Sequence, residues 1–191
     1  SAVHAHLFFG RSPKLRKGSG YSLQSFLPHP PVPRSKKGFP LLSLTLRTIA
    51  MNFLPAIEKE IARQKFGRQP ESLYEPIRYI MHLGGKRLRP VLVCLAYSLY
   101  KKEVQKIIPL AVAVEAFHNF TLLHDDIMDN APLRRGKPTV HEKWNANTAI
   151  LSGDVMLVKV YNMLLALPDK HLKNLLRAFN TCAAEVCEGQ Q

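Results

Sequence analysis

From residue 51 onward, apolar residues recur three and four positions apart, and nowhere do they alternate over the length of a strand. Phe53, Leu54, Ile57, Ile61 and Ala62 follow one helical face to a stop at Gly67. A second helical run, Leu73 to Leu83, carries Pro76 in its first turn and ends at Gly84-Gly85. Pro90 sits where a helix can begin, and Val91 to Tyr100 continues it. Glu103 to about Asp129 reads as one long helix, followed by a loop from Ala131 to Thr139 with Pro132, Gly136 and Pro138. Asn147 to Leu167 is another long helix, Pro168-Asp169 breaks it, and Lys170 to about Cys187 is the last. There are no internal repeats. The pattern predicts an all-α fold of packed helices. Ala183 to Gln191 still reads as helix, so the chain is expected to be truncated at its C-terminus.

Charge divides the chain at Met51. The formal net charge is +13, which taken in bulk points to nucleic acid or an anionic membrane. Residues 1–50 hold eight basic residues and no acidic ones, with the run Pro28-His29-Pro30-Pro31-Val32-Pro33. Residues 51–191 hold 19 basic and 14 acidic residues, a net of only +5. The first segment is therefore expected to be a disordered, basic, proline-rich tail outside the fold. Its composition fits an organellar transit peptide, translated upstream or cloning-derived sequence, or a nucleic-acid-binding arm. No nucleic-acid partner is expected; the competing reading of a basic nucleic-acid-binding protein rests on residues 1–50 and on the bulk charge. The chain is placed in the cytoplasm, or in an organelle if the tail is a transit peptide. No membrane-spanning segment is expected: Leu41 to Ile57 is interrupted by Arg47, Asn52 and Pro55, and Pro90 to Tyr100 is too short. Cys94, Cys182 and Cys187 show no metal-binding spacing and read as reduced.

The chemistry concentrates in the stretch from His118 to Asp129. At 3.6 residues per turn, Asp125 and Asp129 share a face one turn apart, His118 lies on that face two turns earlier, and Asp126 is rotated by about 100°. Two carboxylates so placed repel, and the helix C-terminus disfavours anions further. A compensating cation is needed, and hard oxygen donors suit Mg²⁺, which keeps waters and accepts phosphate oxygens. The alternative is a solvated acidic helix end. Against it stands the apolar setting of Ala111, Val112, Val114, Phe117, Phe120, Leu122, Leu123, Ile127 and Met128, which marks an interior helix.

Two basic clusters accompany the acids. Gly84-Gly85-Lys86-Arg87-Leu88-Arg89-Pro90 sets cations at a helix start, where backbone N–H groups already favour anions. Arg134-Arg135-Gly136-Lys137 follows the acidic cluster. Either alone also reads as a solvated turn. Taken with the acids, they describe Mg²⁺ holding one polyphosphate and separate cations holding a second anion across an apolar cavity.

These residues, with Glu115-Ala116-Phe117-His118, Leu122-Leu123-His124-Asp125-Asp126-Ile127-Met128-Asp129, Pro138-Thr139-Val140-His141 and Leu151-Ser152-Gly153-Asp154, resemble the N-terminal half of short-chain trans-isoprenyl diphosphate synthases of the polyprenyl synthetase family. The resemblance runs through residues 51–191. It implies an isoprenoid synthase-type helical bundle and a prenyltransferase joining isopentenyl diphosphate to an allylic diphosphate (dimethylallyl, geranyl or farnesyl). It further implies that Lys86, Arg89 and His118, helped by Arg135, bind the isopentenyl diphosphate. Asp125 and Asp129 would hold the Mg²⁺ that grips the allylic diphosphate, Asp126 would support them, and Arg134 would contact that diphosphate. Phe120 and Thr121, one turn or so before Asp125, would limit product length, leaning to C20 over C15. His124, Gly153 and Asp154 match without an assigned role, although Gly153 fits close helix packing. A homodimer is implied, with the apolar stretch Ala111 to Phe120 belonging either to its interface or to the core.

The second aspartate-rich motif of the family would lie beyond Gln191, so the 191-residue chain alone is expected to be inactive. A type I terpene cyclase would need the acids but not Lys86, Arg89 and His118. A non-catalytic subunit of a heteromeric synthase would not need Asp125, Asp126 and Asp129 intact.

Overall fold

The computed structural model describes the backbone of residues 40–190 and the side chains of residues 51–190. The first helix, α1, is Pro40–Arg63. It starts on the N-terminal side of Met51, so the composition boundary falls inside an element. The expected tail lies otherwise outside the described residues. Seven α-helices and a two-stranded hairpin are described. They form two compact units, the larger spanning Leu41–Leu172.

In the larger unit, α2 (Glu71–His82) buries Pro76, Ile77, Ile80 and Met81, a one-sided stripe. The third helix, α3 (Leu88–Ser98), takes Pro90 in its first turn and buries Cys94, whose thiol is pushed up to about 11 by burial. A 3₁₀ turn, Val104–Ile107, precedes α4, Ile108–Met128. The expected single helix from Glu103 thus changes hydrogen-bond register where Pro109 can give no N–H.

Helix α4 is the centre. It buries residues on most of its faces: Ala111, Val112, Ala113, Ala116, Phe117, Leu122 and Leu123, together with Glu115, Asn119 and Asp126. The stretch Ala111 to Phe120 is therefore mostly core. Helix α6 (Ala146–Leu165) packs along α4, and α3 and α2 also touch it. Asn145 caps α6 by accepting from the Thr148 N–H at 2.8 Å. Ser152 of α6 donates to the Leu73 carbonyl of α2 at 2.9 Å.

Between α4 and α6 the expected loop contains a small hairpin. Strand β1 (Leu133–Arg134) pairs antiparallel with β2 (Lys137–Pro138), in the register Leu133↔Pro138 and Arg134↔Lys137. Arg135 and Gly136 both have positive φ, +54° and +76°, as a two-residue hairpin turn requires. A short helix, α5 (Val140–Lys143), follows. Tyr79 donates to the Pro138 carbonyl at 2.8 Å and stacks edge-on against Trp144, fastening this region to α2. The last helix, α7 (Leu172–Glu188), stands in the other unit. Leu172, Leu175, Leu176, Phe179, Cys182, Ala183 and Val186 are its less exposed positions, at helical spacing.

Two stretches, Val104–Met128 and Ala146–Leu165, are long and apolar enough to cross a membrane by length and composition. The sequence expectation that no segment qualifies overlooked them.

Gly153 lets α6 approach α4. A Cβ there would lie 2.5 Å from the His124 Nε2, a distance real Cβ atoms do not tolerate. The imidazole rests in this notch, 3.3 Å from the Ile150 carbonyl and 3.8 Å from an Asp154 carboxylate oxygen. Close packing is thus the reason for this glycine. Gly153→Ala should destabilise the chain by about 1 kcal/mol in urea unfolding, because the clash outweighs the helix-propensity gain. In a His124→Ala background the clash is gone, and the same change should stabilise by up to about 1 kcal/mol.

Candidate active site

The three aspartates occupy the end of α4, and each has a different environment. Asp126 is 3% exposed. A carboxylate taken this far from water requires a cation, and Arg134 supplies it. Its Nε donates to both carboxylate oxygens, at 3.0 and 2.8 Å. Its Nη2 lies 3.6 Å from an Asp125 oxygen. The hairpin brings the arginine there. The Ala131 N–H donates to the Asp126 carbonyl at 2.9 Å, and Thr139 donates to the Ala131 carbonyl at 2.8 Å. The chain thus folds back over the helix end.

Asp125 is half-buried, and Asp129, just past the helix, is exposed. The Asp129 N–H donates to the Asp125 carbonyl at 2.9 Å, which keeps the pair one turn apart. Among the described residues, no group of three or more His, Cys, Asp or Glu is assembled around one point. Two carboxylates fit an ion that retains water and takes further oxygen ligands from a substrate, rather than one held in a closed protein cage.

The basic turn after α2 is built around Arg87. Gly84 and Gly85 have φ of +75° and +138°, and Arg87 itself is left-handed at +48°. Its side chain is buried. Nε donates to Glu58 at 2.8 Å, Nη1 to Glu115 at 2.9 Å and Nη2 to the Met81 carbonyl at 2.9 Å. Lys86, directly before it, is exposed, and Arg89 is partly buried in the first turn of α3.

The two basic clusters meet. A Cβ on Gly85 would lie 2.9 Å from the guanidinium carbon of Arg135, so the turn passes directly against that side chain. His118 lies within reach of both: its pKa is pushed down to about 3, by burial first and then by Arg89, Arg135 and Arg134. Burial and the neighbouring Arg135 likewise lower Arg89, against the opposing pull of Glu115. Arg135 is lowered by burial, again opposed by Glu115. The structure therefore gathers His118, Arg89, Arg134 and Arg135 beside the carboxylate end of α4. Phe120 and Thr121 lie one turn earlier. The Phe120 ring stands 5.0 Å from that of His124, edge-on, and Thr121 donates to the His118 carbonyl at 2.8 Å. A cavity of about 430 Å³, lined by Lys65, Phe66, Pro109, Lys159 and Met163 among others, opens near the start of α4 and includes none of these residues.

Reading charge from the sequence treated Arg87 as one of the useful cations. The structure corrects this, because Glu58 and Glu115 neutralise it. Arg134, which the resemblance places on the allylic diphosphate, is engaged here with Asp126. Sequence reasoning gave Glu115 no role. The available signal was an acid inside an otherwise apolar helix, which demands a partner.

Residues 70–191 match the polyprenyl synthetase family profile. The chain belongs to this family. The polyprenyl synthetases it resembles include a short chain isoprenyl diphosphate synthase of Methanocaldococcus jannaschii, 39% identical over 140 residues, covering 73% of this chain and 42% of that one. A geranylgeranyl diphosphate synthase of Methanosarcina mazei is 46% identical over 125 residues, covering 64% of this chain and 38% of that one. A crystal structure of a geranylgeranyl pyrophosphate synthase superposes with a TM-score of 0.68 at 45% identity, over 76% of this chain and 43% of that one. The chain thus spans less than half the length of these relatives.

Two outcomes follow from the site's charges. Arg134→Ala leaves Asp126 buried and unpaired and should cost about 3 kcal/mol in urea unfolding, with Arg134→Lys in between because an ammonium cannot make the bidentate contact. Since His118 stays neutral when folded, the unfolded chain takes up its proton below its ordinary pKa of 6.5 while the folded chain does not. Stability therefore falls as pH drops from about 6.5 towards 3. Between pH 7 and pH 5 the parent should lose about 2 kcal/mol more than His118→Gln.

Proposed function

We propose that this chain is part of a trans-prenyltransferase that condenses isopentenyl diphosphate with an allylic diphosphate (dimethylallyl, geranyl or farnesyl). The product is a short-chain isoprenyl diphosphate, C20 ahead of C15. The observation that carries this reading is the convergence of a carboxylate-bearing helix end with two basic turns, Arg134 lying on Asp126 and Arg135 on Gly85. The relatives, among them geranylgeranyl diphosphate synthases, support it.

In this reading Lys86, Arg89 and Arg135 bind the isopentenyl diphosphate. Neutral His118 adds a hydrogen bond without adding charge. Asp125 and Asp129 hold Mg²⁺. Mg²⁺ held there would supply the positive charge that neutralises the allylic diphosphate as its C–O bond ionises. Asp126, fixed by Arg134, sets the helix end that carries both ligands. Phe117 and Phe120, on α4 ahead of the acids, give the allylic tail an apolar wall and keep water from the cation formed on ionisation. The isopentenyl double bond then attacks, and a proton is lost to the departing diphosphate, so no protein nucleophile is required. Phe120 and Thr121 set product length. The assembled enzyme is a homodimer, for which the exposed Ile150, Leu151, Val158 and Leu165 of α6 offer apolar surface.

The relatives' chains are more than twice the length matched here, so the purified 191-residue chain should form no prenyl product from Mg²⁺ and both substrates. A hybrid with residues 51–191 in place of the matching part of the Methanosarcina mazei synthase should form a C20 product by radiolabelled assay. In that hybrid, Asp125→Ala should lower kcat/KM at least about a hundredfold. A hybrid that folds yet forms no prenyl product, or one indifferent to Asp125→Ala, overturns the proposal.

A further inference from the structure

We propose that Glu115 is a positioning residue for the anion-binding cluster: by holding Arg87 from below, it sets where Lys86 and Arg89 stand. The inference rests on the reading that Lys86, Arg89 and Arg135 bind a diphosphate. It assigns a function to an acid that touches none of the substrate in that reading.

The geometry is specific. Arg87 directs its donors to three elements at once: Glu58 on α1, the Met81 carbonyl on α2 and Glu115 on α4. Of its two acids, Glu58 is half exposed, whereas Glu115 is 4% exposed and lies in the core of the central helix. Arg87 also has left-handed backbone, which is strained for a non-glycine residue and persists only where surrounding contacts hold it. The two residues before Lys86 are glycines at positive φ, so the turn has little stiffness of its own. Lys86 precedes Arg87 and Arg89 follows it by two positions. Anchoring the Arg87 side chain therefore anchors the path of the turn that displays both cations. His118 lies one turn beyond Glu115 on α4, so the same acid sits between the clamp and the binding cluster.

Charge and position make opposite predictions. Glu115→Gln removes one negative charge from beneath a cationic cluster, and on electrostatics alone an anion should bind more tightly. If Glu115 acts by holding Arg87, the anion should bind more weakly, because the turn loses its fixed path.

Inorganic pyrophosphate binding to the 191-residue chain, measured by isothermal titration calorimetry in metal-free buffer, decides between them. The parent should bind, and Lys86→Ala and Glu115→Gln should each weaken binding about tenfold, or 1.4 kcal/mol. A folding control is built in. Replacing a buried ion pair by apolar residues of similar size usually restores stability. The double variant Arg87→Met/Glu115→Leu should therefore recover the parent's urea midpoint while still binding pyrophosphate about tenfold more weakly. Tighter or unchanged binding in Glu115→Gln overturns the inference alone. Binding that returns with stability in the double variant overturns it too, by reducing Glu115 to a structural part. Parent and Lys86→Ala binding equally overturns the reading of the site itself, and the inference with it.

Discussion

An acid buried inside an apolar helix requires its own cation, and α4 buries two. Glu115 and Asp126 are each about 3% exposed in a helix whose other inward residues are alanine, valine, leucine and phenylalanine. Each takes an arginine from a neighbouring turn: Arg87 from the glycine turn after α2, Arg134 from the hairpin. Breaking such a pair leaves an uncompensated charge, at a cost of several kcal/mol. The two turns are thereby committed to α4 before any ligand is considered. Each turn also carries a second, adjacent basic residue that its carboxylate does not absorb, Lys86 in one and Arg135 in the other. The pairs that stabilise the helix are the same pairs that aim the site.

This division of labour explains what was legible in the sequence and what was not. The helices could be read because 3.6-residue spacing is local, and Gly84-Gly85 marked a turn that the structure keeps. Asp125, Asp126 and Asp129 were readable because an i, i+4 acid pair in an apolar setting is itself an anomaly, and the rotation of Asp126 away from the other two followed from helix geometry. The partners of the buried acids were not readable. Arg87 and Glu115 are far apart in sequence, and nothing local separates a clamped arginine from a ligand-binding one. The hairpin escaped because two-residue strands show no alternation, and Arg135 is not among the residues that usually open such a turn. The start of α1 escaped because the proline-rich, acid-free composition before Met51 carries no helical signal. Length and apolarity alone, by contrast, mark α4 and α6 as possible spans, although α4 carries both buried ion pairs.

His118 shows the same economy from the other side. Burial, and then Arg89, Arg135 and Arg134, hold it neutral, so the cluster carries its positive charge on lysine and arginine side chains and not on the imidazole. What His118 makes pH-dependent is folding stability, and only below about pH 6.5, where the unfolded chain takes up the proton that the folded chain refuses.

The bidentate contact of Arg134 with Asp126 has a metrical consequence. Arg134 and Arg135 are consecutive, and Asp125 and Asp126 are consecutive, so the one ion pair splints Arg135 to Asp125, the proposed metal ligand, through two peptide bonds. In the proposed reaction these neighbours hold two different diphosphates. The gap between the two reacting molecules is then a dimension of the polypeptide, like the spacing of jaws on a fixed gauge, and is set before either substrate arrives.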